Sequence, residues 1–282
     1  MPRSPTCWRA APTAPPWPSS PPSWASGPAP SGPRWSPGSD VRVGITLPQF
    51  REDAETALAT ARQAEAARLD GVFVFDHLWP IGRPDRPALH ALELLGALAA
   101  ETRSLTIGSM VARVGVYPDP VLVNGLATVR RVAGDRLIAG LGVGDHLSRA
   151  ENLAFGVPFA SAADRLAALA RCCREMRVRG VPTWVGGTSA ATRAVALAEA
   201  DGWNLWGVPP ARIADEVAAL AREARAVVVT WAGQVRPLDE DLVALLRTLA
   251  AAGAAWAVLA PIDAPWPEAV DRIADARRRV LG

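Results

Sequence analysis

The chain has 282 residues and a mass of 29.7 kDa, half of it apolar and about a fifth charged, which suffices for one large domain or two small ones with a real core. Thirty basic residues stand against 28 acidic ones, a formal net charge of +2, so no charge imbalance directs the protein to nucleic acid or to an anionic membrane. All 30 basic residues are arginine, which excludes a Schiff-base lysine, a P-loop lysine and a lysine general base.

Residues 1–40 hold 12 of the 26 prolines and 4 of the 11 tryptophans, but no Val, Ile, Leu or Phe. Such a stretch cannot bury enough apolar surface to offset its ordering entropy. It is expected to be a disordered extension, or the product of a start codon set too far upstream; a proline-rich docking tail is the alternative. The folded pattern begins at Val41 and gives the second expected unit, residues 41–282.

From there, short β-branched runs alternate with helical periodicity. Strands are predicted at 41–47, 71–75, 105–111, 137–143, 183–185, 203–206, 226–231 and 255–259. Helical patterns lie between them. Glu52, Asp53 and Glu55 open one that ends before Gly71; Ile213, Val217, Leu220, Ala221 and Ala224 repeat behind Pro209–Pro210; Leu242, Leu245, Leu246 and Leu249 follow the same rule. His90 is placed in a helix, in a structural role. Eight strand–helix units in this length predict a compact (β/α)8 TIM barrel, whose chemistry sits at the C-terminal ends of the strands. A doubly wound open sheet fits less well, because Leu47-Pro48-Gln49-Phe50 follows the first strand with no glycine fingerprint.

Three strand ends then carry candidate chemistry. The second strand leads into Asp76-His77-Leu78-Trp79, which places an imidazole that titrates near neutral pH at the barrel mouth, with Asp76 able to orient it or to face another strand. The fourth ends Gly140-Leu141-Gly142-Val143-Gly144-Asp145-His146. Gly142 and Gly144 are expected to let a flat or phosphorylated ligand approach the backbone, and Asp145–His146 offers a second acid/base pair. The fifth ends Gly186-Gly187-Thr188-Ser189 and feeds a helix carrying Arg193, a candidate phosphate site. The ordinary alternatives are a polar strand cap, a flexible loop and a capped βα turn.

The histidines at 77, 90 and 146 have no ligand spacing, so no metal site is expected. The adjacent Cys172 and Cys173, with Cys7, make neither a disulfide framework nor a metal set, and point to a reducing, cytoplasmic setting. No apolar run reaches the about 18 residues of a membrane span, and the N-terminus carries no apolar signal segment.

The phrases "FVFDHLWP", "GLGVGDHLSRAENLAFGVPF" and "PTWVGG…ADGWN" recur in the order and spacing of the luciferase-like monooxygenase superfamily, and resemble above all its coenzyme F420-dependent oxidoreductase branch. The resemblance runs from residue 41 to the C-terminus. It implies a homodimeric barrel enzyme that holds a deazaflavin or flavin at the strand C-termini and acts on a small-molecule substrate. The cofactor phosphate is implied at Gly186–Gly187 beside Thr188, and the ring next to Asp76 and His77. Asp145 falls where related sugar-phosphate dehydrogenases keep a proton donor, and Trp79 and His146 fall on the substrate side. A non-prolyl cis bond backing the ring is implied around Gly108-Ser109-Met110. Three functions follow: F420-dependent hydride transfer, an FMN-dependent two-component monooxygenase, or a cofactor-binding barrel without turnover. One departure stands out. The helix near 166–176 runs almost directly into the fifth strand, without the longer pocket-covering insertion of relatives, which implies a more open site.

Overall fold

The computed structural model describes residues 40–223 and 225–281; the expectation for residues 1–39 lies outside the described residues. The first half runs β1 (Arg42–Thr46), α1 (Glu55–Ala66), β2 (Gly71–Val74), α2 (Ala91–Glu101), β3 (Thr106–Ser109), β4 (Ala112–Arg113), α3 (Asp119–Ala133), β5 (Leu137–Gly142) and α4 (Ser148–Ala154). The second half runs α5 (Ala162–Val178), β6 (Thr183–Gly186), α6 (Ala190–Glu199), β7 (Gly202–Trp206), α7 (Pro210–Leu220), β8 (Val228–Val235), α8 (Leu242–Ala251), β9 (Trp256–Pro261) and α9 (Trp266–Leu281).

Every pairing between these strands is parallel. The sheet closes because β1 pairs with β9 and β3 pairs with β5, so the fold is the predicted (β/α)8 barrel. The third predicted strand differs most. It is two segments, β3 and β4, separated at Met110–Val111, whose peptide bond is cis, as the resemblance implied. The seventh strand begins at Val228 rather than at 226 and continues to Val235. His90 lies one residue ahead of α2, at its N-cap, rather than inside a helix.

One core fills the space between barrel and helices. A second, inside the barrel, is built on Phe73, Trp184 and Trp256. Phe73 stacks on Trp184 with centroids 5.5 Å apart, and Trp256 meets both rings edge-on. Rings this large fit because glycine faces them: a Cβ at Gly108 would lie 2.7 Å from Phe73, and one at Gly202 would lie 2.5 Å from Trp184. Met110 joins this layer from above, so the barrel is plugged beneath its mouth.

The opposite, N-terminal face is tied by carboxylates at strand starts. Asp70, just before β2, accepts from the Val43 N–H at 2.7 Å and from both sides of the Arg277 guanidinium on α9 at 2.7 and 2.8 Å. Asp201, just before β7, accepts from the Thr183 N–H at 2.9 Å and from Arg225 at 3.3 Å. Glu65 on α1 gathers the turn into β3, accepting from the N–H groups of Arg103 and Ser104 at 2.8 and 2.6 Å. These ties hold the barrel at the end away from its cavity, as expected of the stabilising face of such folds.

Candidate active site

A cavity of about 750 Å³ opens at the C-terminal ends of the strands, a size suited to a small ligand or a cofactor head. Asp76, His77, Met110, Gly142, Gly144, Asp145, Gly186 and Gly187, all singled out in the sequence, line it. Trp79, Ser109, His146, Thr188 and Arg193 do not.

The polar centre of the cavity is a network that links the ends of β2 and β4 to α4. Its hub is Arg113 at the end of β4, buried, whose own N–H donates to Asp76 Oδ2 at 2.7 Å. Its guanidinium donates to the Asp76 carbonyl at 2.6 Å, to Asn152 Oδ1 at 3.1 Å and to Glu151 Oε1 at 2.8 Å. Glu151, 1% exposed, also accepts from the Leu78 N–H, and its Oε2 lies 3.0 Å from His77 Nδ1. A buried carboxylate with a guanidinium on one oxygen and an imidazole on the other satisfies both partners.

The two carboxyl groups of this network are driven apart. Burial works against ionisation of Glu151, but the hydrogen bonds from His77 and Leu78 and the charge of Arg113 outweigh it, so the group titrates below the usual glutamate range. Asp76 goes the other way. Burial dominates and pushes its carboxyl up, against the lowering effect of Arg113. Its Oδ1 is buried at the cavity with no hydrogen-bond partner among the described residues. Because Glu151 is the ionised member, Nδ1 of His77 is the donor in their contact.

The glycines are placed differently from the sequence reading. A Cβ on Gly142 would lie 2.3 Å from Val111 Cγ2, and one on Gly186 would lie 2.8 Å from Val111 Cγ1. These positions are glycine because Val111, the residue after the cis bond, projects between β5 and β6 and lines the cavity. Gly187 and Gly144 take positive φ of 130° and 66°, so their turns need the conformational freedom of glycine.

The remaining sequence candidates take up local partners. Asp145 accepts from the N–H groups of Leu147 and Ser148 at 2.9 and 3.1 Å and so closes the turn that precedes α4 at the cavity edge. His146 is exposed beside it. Ser109 is buried and donates to the Gly140 carbonyl at 2.7 Å. Trp79 packs on Phe155 at 5.6 Å, outside the lining. Ser189 caps α6 through the Thr192 N–H at 3.1 Å, while Thr188 is exposed and its carbonyl accepts from Arg212 at 2.7 Å. Arg193 meets Glu216 at 3.1 Å and Glu223 at 3.8 Å, facing α7.

The sequence reading did not single out Arg113 or Glu151. Glu151 lies inside the longest family-like phrase, but an acid on a short polar helix reads as solvated until the fold buries it. An aromatic row was equally hidden. Phe50 stacks on Phe75 at 5.9 Å, and Phe75 meets Trp206 edge-on at 5.7 Å.

Comparison with known proteins places this geometry. The F420-dependent glucose-6-phosphate dehydrogenase of Beutenbergia cavernae is 34% identical over 128 residues, 45% of this chain and 37% of the relative. The protein of the same name from Kineococcus radiotolerans is 34% identical over 118 residues, 42% of this chain and 34% of the relative. The matched part thus spans about a third of the length of these curated relatives. The solved structure of an F420-dependent secondary alcohol dehydrogenase in complex with an F420-acetone adduct shares the fold, with a TM-score of 0.71 at 16% identity, covering 86% of this chain and all of that one. A family model described as luciferase-like monooxygenase matches residues 36–179, half of the chain, across the Asp76–His77 turn, the cis bond and Glu151. The chain belongs to the luciferase-like monooxygenase family.

Proposed function

We propose that this protein is an F420-dependent oxidoreductase that transfers a hydride to or from a small organic substrate at the C-terminal mouth of its barrel. The observation that carries the reading is the Arg113–Glu151–His77 network, which presents an oriented imidazole at a cavity where Asp76 also keeps an unpaired buried oxygen. The two dehydrogenase relatives named for F420 support the same cofactor.

The residues present suit such a group. Val111 and Met110 offer an apolar face for a flat ring, and the N-terminus of α6, which follows the Gly186–Gly187 turn, offers the backbone N–H groups of its first turn for a phosphate beside Thr188. Arg193 is committed to α7, so in this reading the anion rests on the backbone and the helix terminus. Asp76 Oδ1 is free to hydrogen-bond a polar ring edge. When bound, F420 supplies a two-electron carrier that takes up or releases hydride. The protein manages the proton: Nε2 of His77 accepts it from a substrate hydroxyl or returns it, and Glu151 stabilises the imidazolium so formed. Asp145, at the cavity edge, is the second candidate proton carrier, while Trp79 and His146, outside the lining, are the candidates for contact with a larger substrate. The reading includes a homodimer in a reducing, cytoplasmic setting. Cys172 and Cys173 fit that setting as free, buried thiols, with burial pushing the Cys172 thiol up to about 12.

The test is a binding titration of the purified chain against F420 and FMN in parallel, followed by turnover of His77→Gln. Selective F420 binding, with turnover lost and binding retained in the variant, is the expected result. Preference for FMN would overturn the cofactor assignment in favour of a flavin monooxygenase, and binding of neither would leave a barrel without this chemistry.

A further inference from the structure

The cavity has two unlike halves. Phe75 leaves β2 and Trp206 ends β7, strands on opposite sides of the closed barrel, yet their rings meet at 5.7 Å. With Phe50 stacked on Phe75, an aromatic row crosses the mouth. On the β4–β6 side of the row lie the charged network and the glycine turns. On the other side the lining comes from β8, β9 and the segment after β1: Gln234, Ala260, Pro261, Ile262, Trp266 and Leu47 among others, with Arg51 and, beside the row, Arg86 as its charged lining residues.

Arg51 is engaged at 3.4 Å with Asp53, and Arg86, the next cation along the rim, donates to the Phe50 carbonyl at 3.0 Å. Arg193 and Arg212, beyond the Gly186–Gly187 turn, are held by Glu216. The chain has no lysine to add a cation. Arg86 is exposed and Arg51 partly so, which keeps both cations at the rim; a phosphate dianion seated against Ile262 and Trp266 would lose its hydration there. An apolar body would cover the exposed edge of Trp206, 39% accessible, and displace water from Ile262 and Trp266.

We propose that the substrate of this site is an uncharged, largely apolar alcohol or carbonyl compound, seated against Phe75 and Trp206 on the β8–β9 side with its one polar function directed at His77, and not a sugar phosphate. This rests on the oxidoreductase reading given above for the place of His77, but the character of the compartment is independent of the cofactor. Gln234, exposed at the end of β8, offers a second hydrogen bond for a polar tail.

The experiment is calorimetry of the full chain with acetophenone and with glucose 6-phosphate as probes, alongside F420, for the native protein and for Ile262→Arg and Trp206→Ala. Saturable acetophenone binding, no heat from glucose 6-phosphate, and at least a tenfold loss of acetophenone affinity in both variants are expected. The proposal is overturned if glucose 6-phosphate binds in preference, if F420 binds but acetophenone does not, or if neither variant weakens acetophenone. Acetophenone binding without F420 binding would sustain the apolar compartment while removing the cofactor assignment, so the two failures separate. Circular dichroism of each variant shows whether a loss reflects the compartment, and the smaller change Trp206→Phe should retain binding within a fewfold.

Discussion

The imidazole of His77 and the carboxylate of Glu151 meet at 3.0 Å, Nδ1 to Oε2, although one follows β2 and the other rides on α4. Their junction is made possible by Arg113, which holds the other Glu151 oxygen and packs α4 against the barrel. Glu151 is thus a positioning residue in the proposed reaction. Glu151→Gln keeps an acceptor for Arg113 but removes the charge that stabilises a protonated His77. Turnover with an identified substrate should fall by about 10–100-fold, the usual effect of losing such an orienting partner, with F420 binding retained. Glu151→Ala should instead destabilise the fold by about 3–5 kcal/mol, because it strands a buried guanidinium. Steady-state kinetics set beside urea denaturation distinguishes the two; unchanged turnover in Glu151→Gln would remove the assignment.

Asp76 and Glu151 impose opposite pH dependences on stability. Glu151 and Glu65 titrate below the ordinary 4.5 in the fold, so the stability they contribute is present above that value and is lost as pH falls through their folded values. Asp76 is raised above 3.8, so its contribution is full below that value and is lost as pH rises through its folded value. Asp76→Asn retains the acceptor for the Arg113 N–H and removes the cost of a buried ionised carboxyl. Relative to the native chain, the variant should gain stability progressively as pH rises from 3.8 through the folded value of Asp76, followed by denaturant unfolding at each pH. It should lose activity over the same range. A difference between the two proteins that does not change with pH would show that Asp76 ionises freely in the fold.

Most of the architecture was legible in the sequence. Eight short β-branched runs separated by amphipathic stretches determine a parallel barrel, and its mouth follows from strand direction, so Asp76, His77 and the glycine turns could be placed before any coordinates. What was not legible depends on contacts between distant segments. Nothing local in Ser148–Ala154 marks Glu151 as buried, and nothing near β4 marks Arg113 as its partner 38 residues away. The same holds for Gly142 and Gly186. A glycine-rich strand end reads as room for a ligand, whereas here the space is taken by Val111, brought in from the break between β3 and β4.

That packing makes its own prediction. Gly142→Ala places a methyl group 2.3 Å from Val111 Cγ2, inside van der Waals contact, against a β-branched side chain that is stiff at χ1. The substitution should cost about 1–3 kcal/mol by overpacking and weaken F420 binding. Combining it with Val111→Ala, which removes the clashing methyls, should restore part of the loss. A double-mutant cycle on unfolding free energy measures the coupling, and strict additivity would mean that Val111 is not what keeps position 142 as glycine.

The far end of the barrel should separate stability from function. Asp70 and Arg277 form a two-pronged pair at 2.7 and 2.8 Å, and the same carboxylate accepts from the Val43 N–H, so one group joins β1, the start of β2 and the C-terminal helix. Both side chains are about a fifth exposed, which moderates the value of the charge, although the forked geometry favours it. Arg277→Ala should therefore lower the unfolding free energy by about 1–2 kcal/mol, the range for hydrogen bonds to a charged group after screening. Because the pair sits on the face opposite the cavity, F420 affinity and turnover below the unfolding transition should stay within about twofold of the native values, on the rule that residues on this barrel face serve stability. Thermal unfolding and a cofactor titration on one preparation check both halves. A variant as stable as the native chain would show that α9 is held by its apolar face alone, through Val270 and Ile273, and that the Asp70 pair merely decorates a helix already fixed by burial.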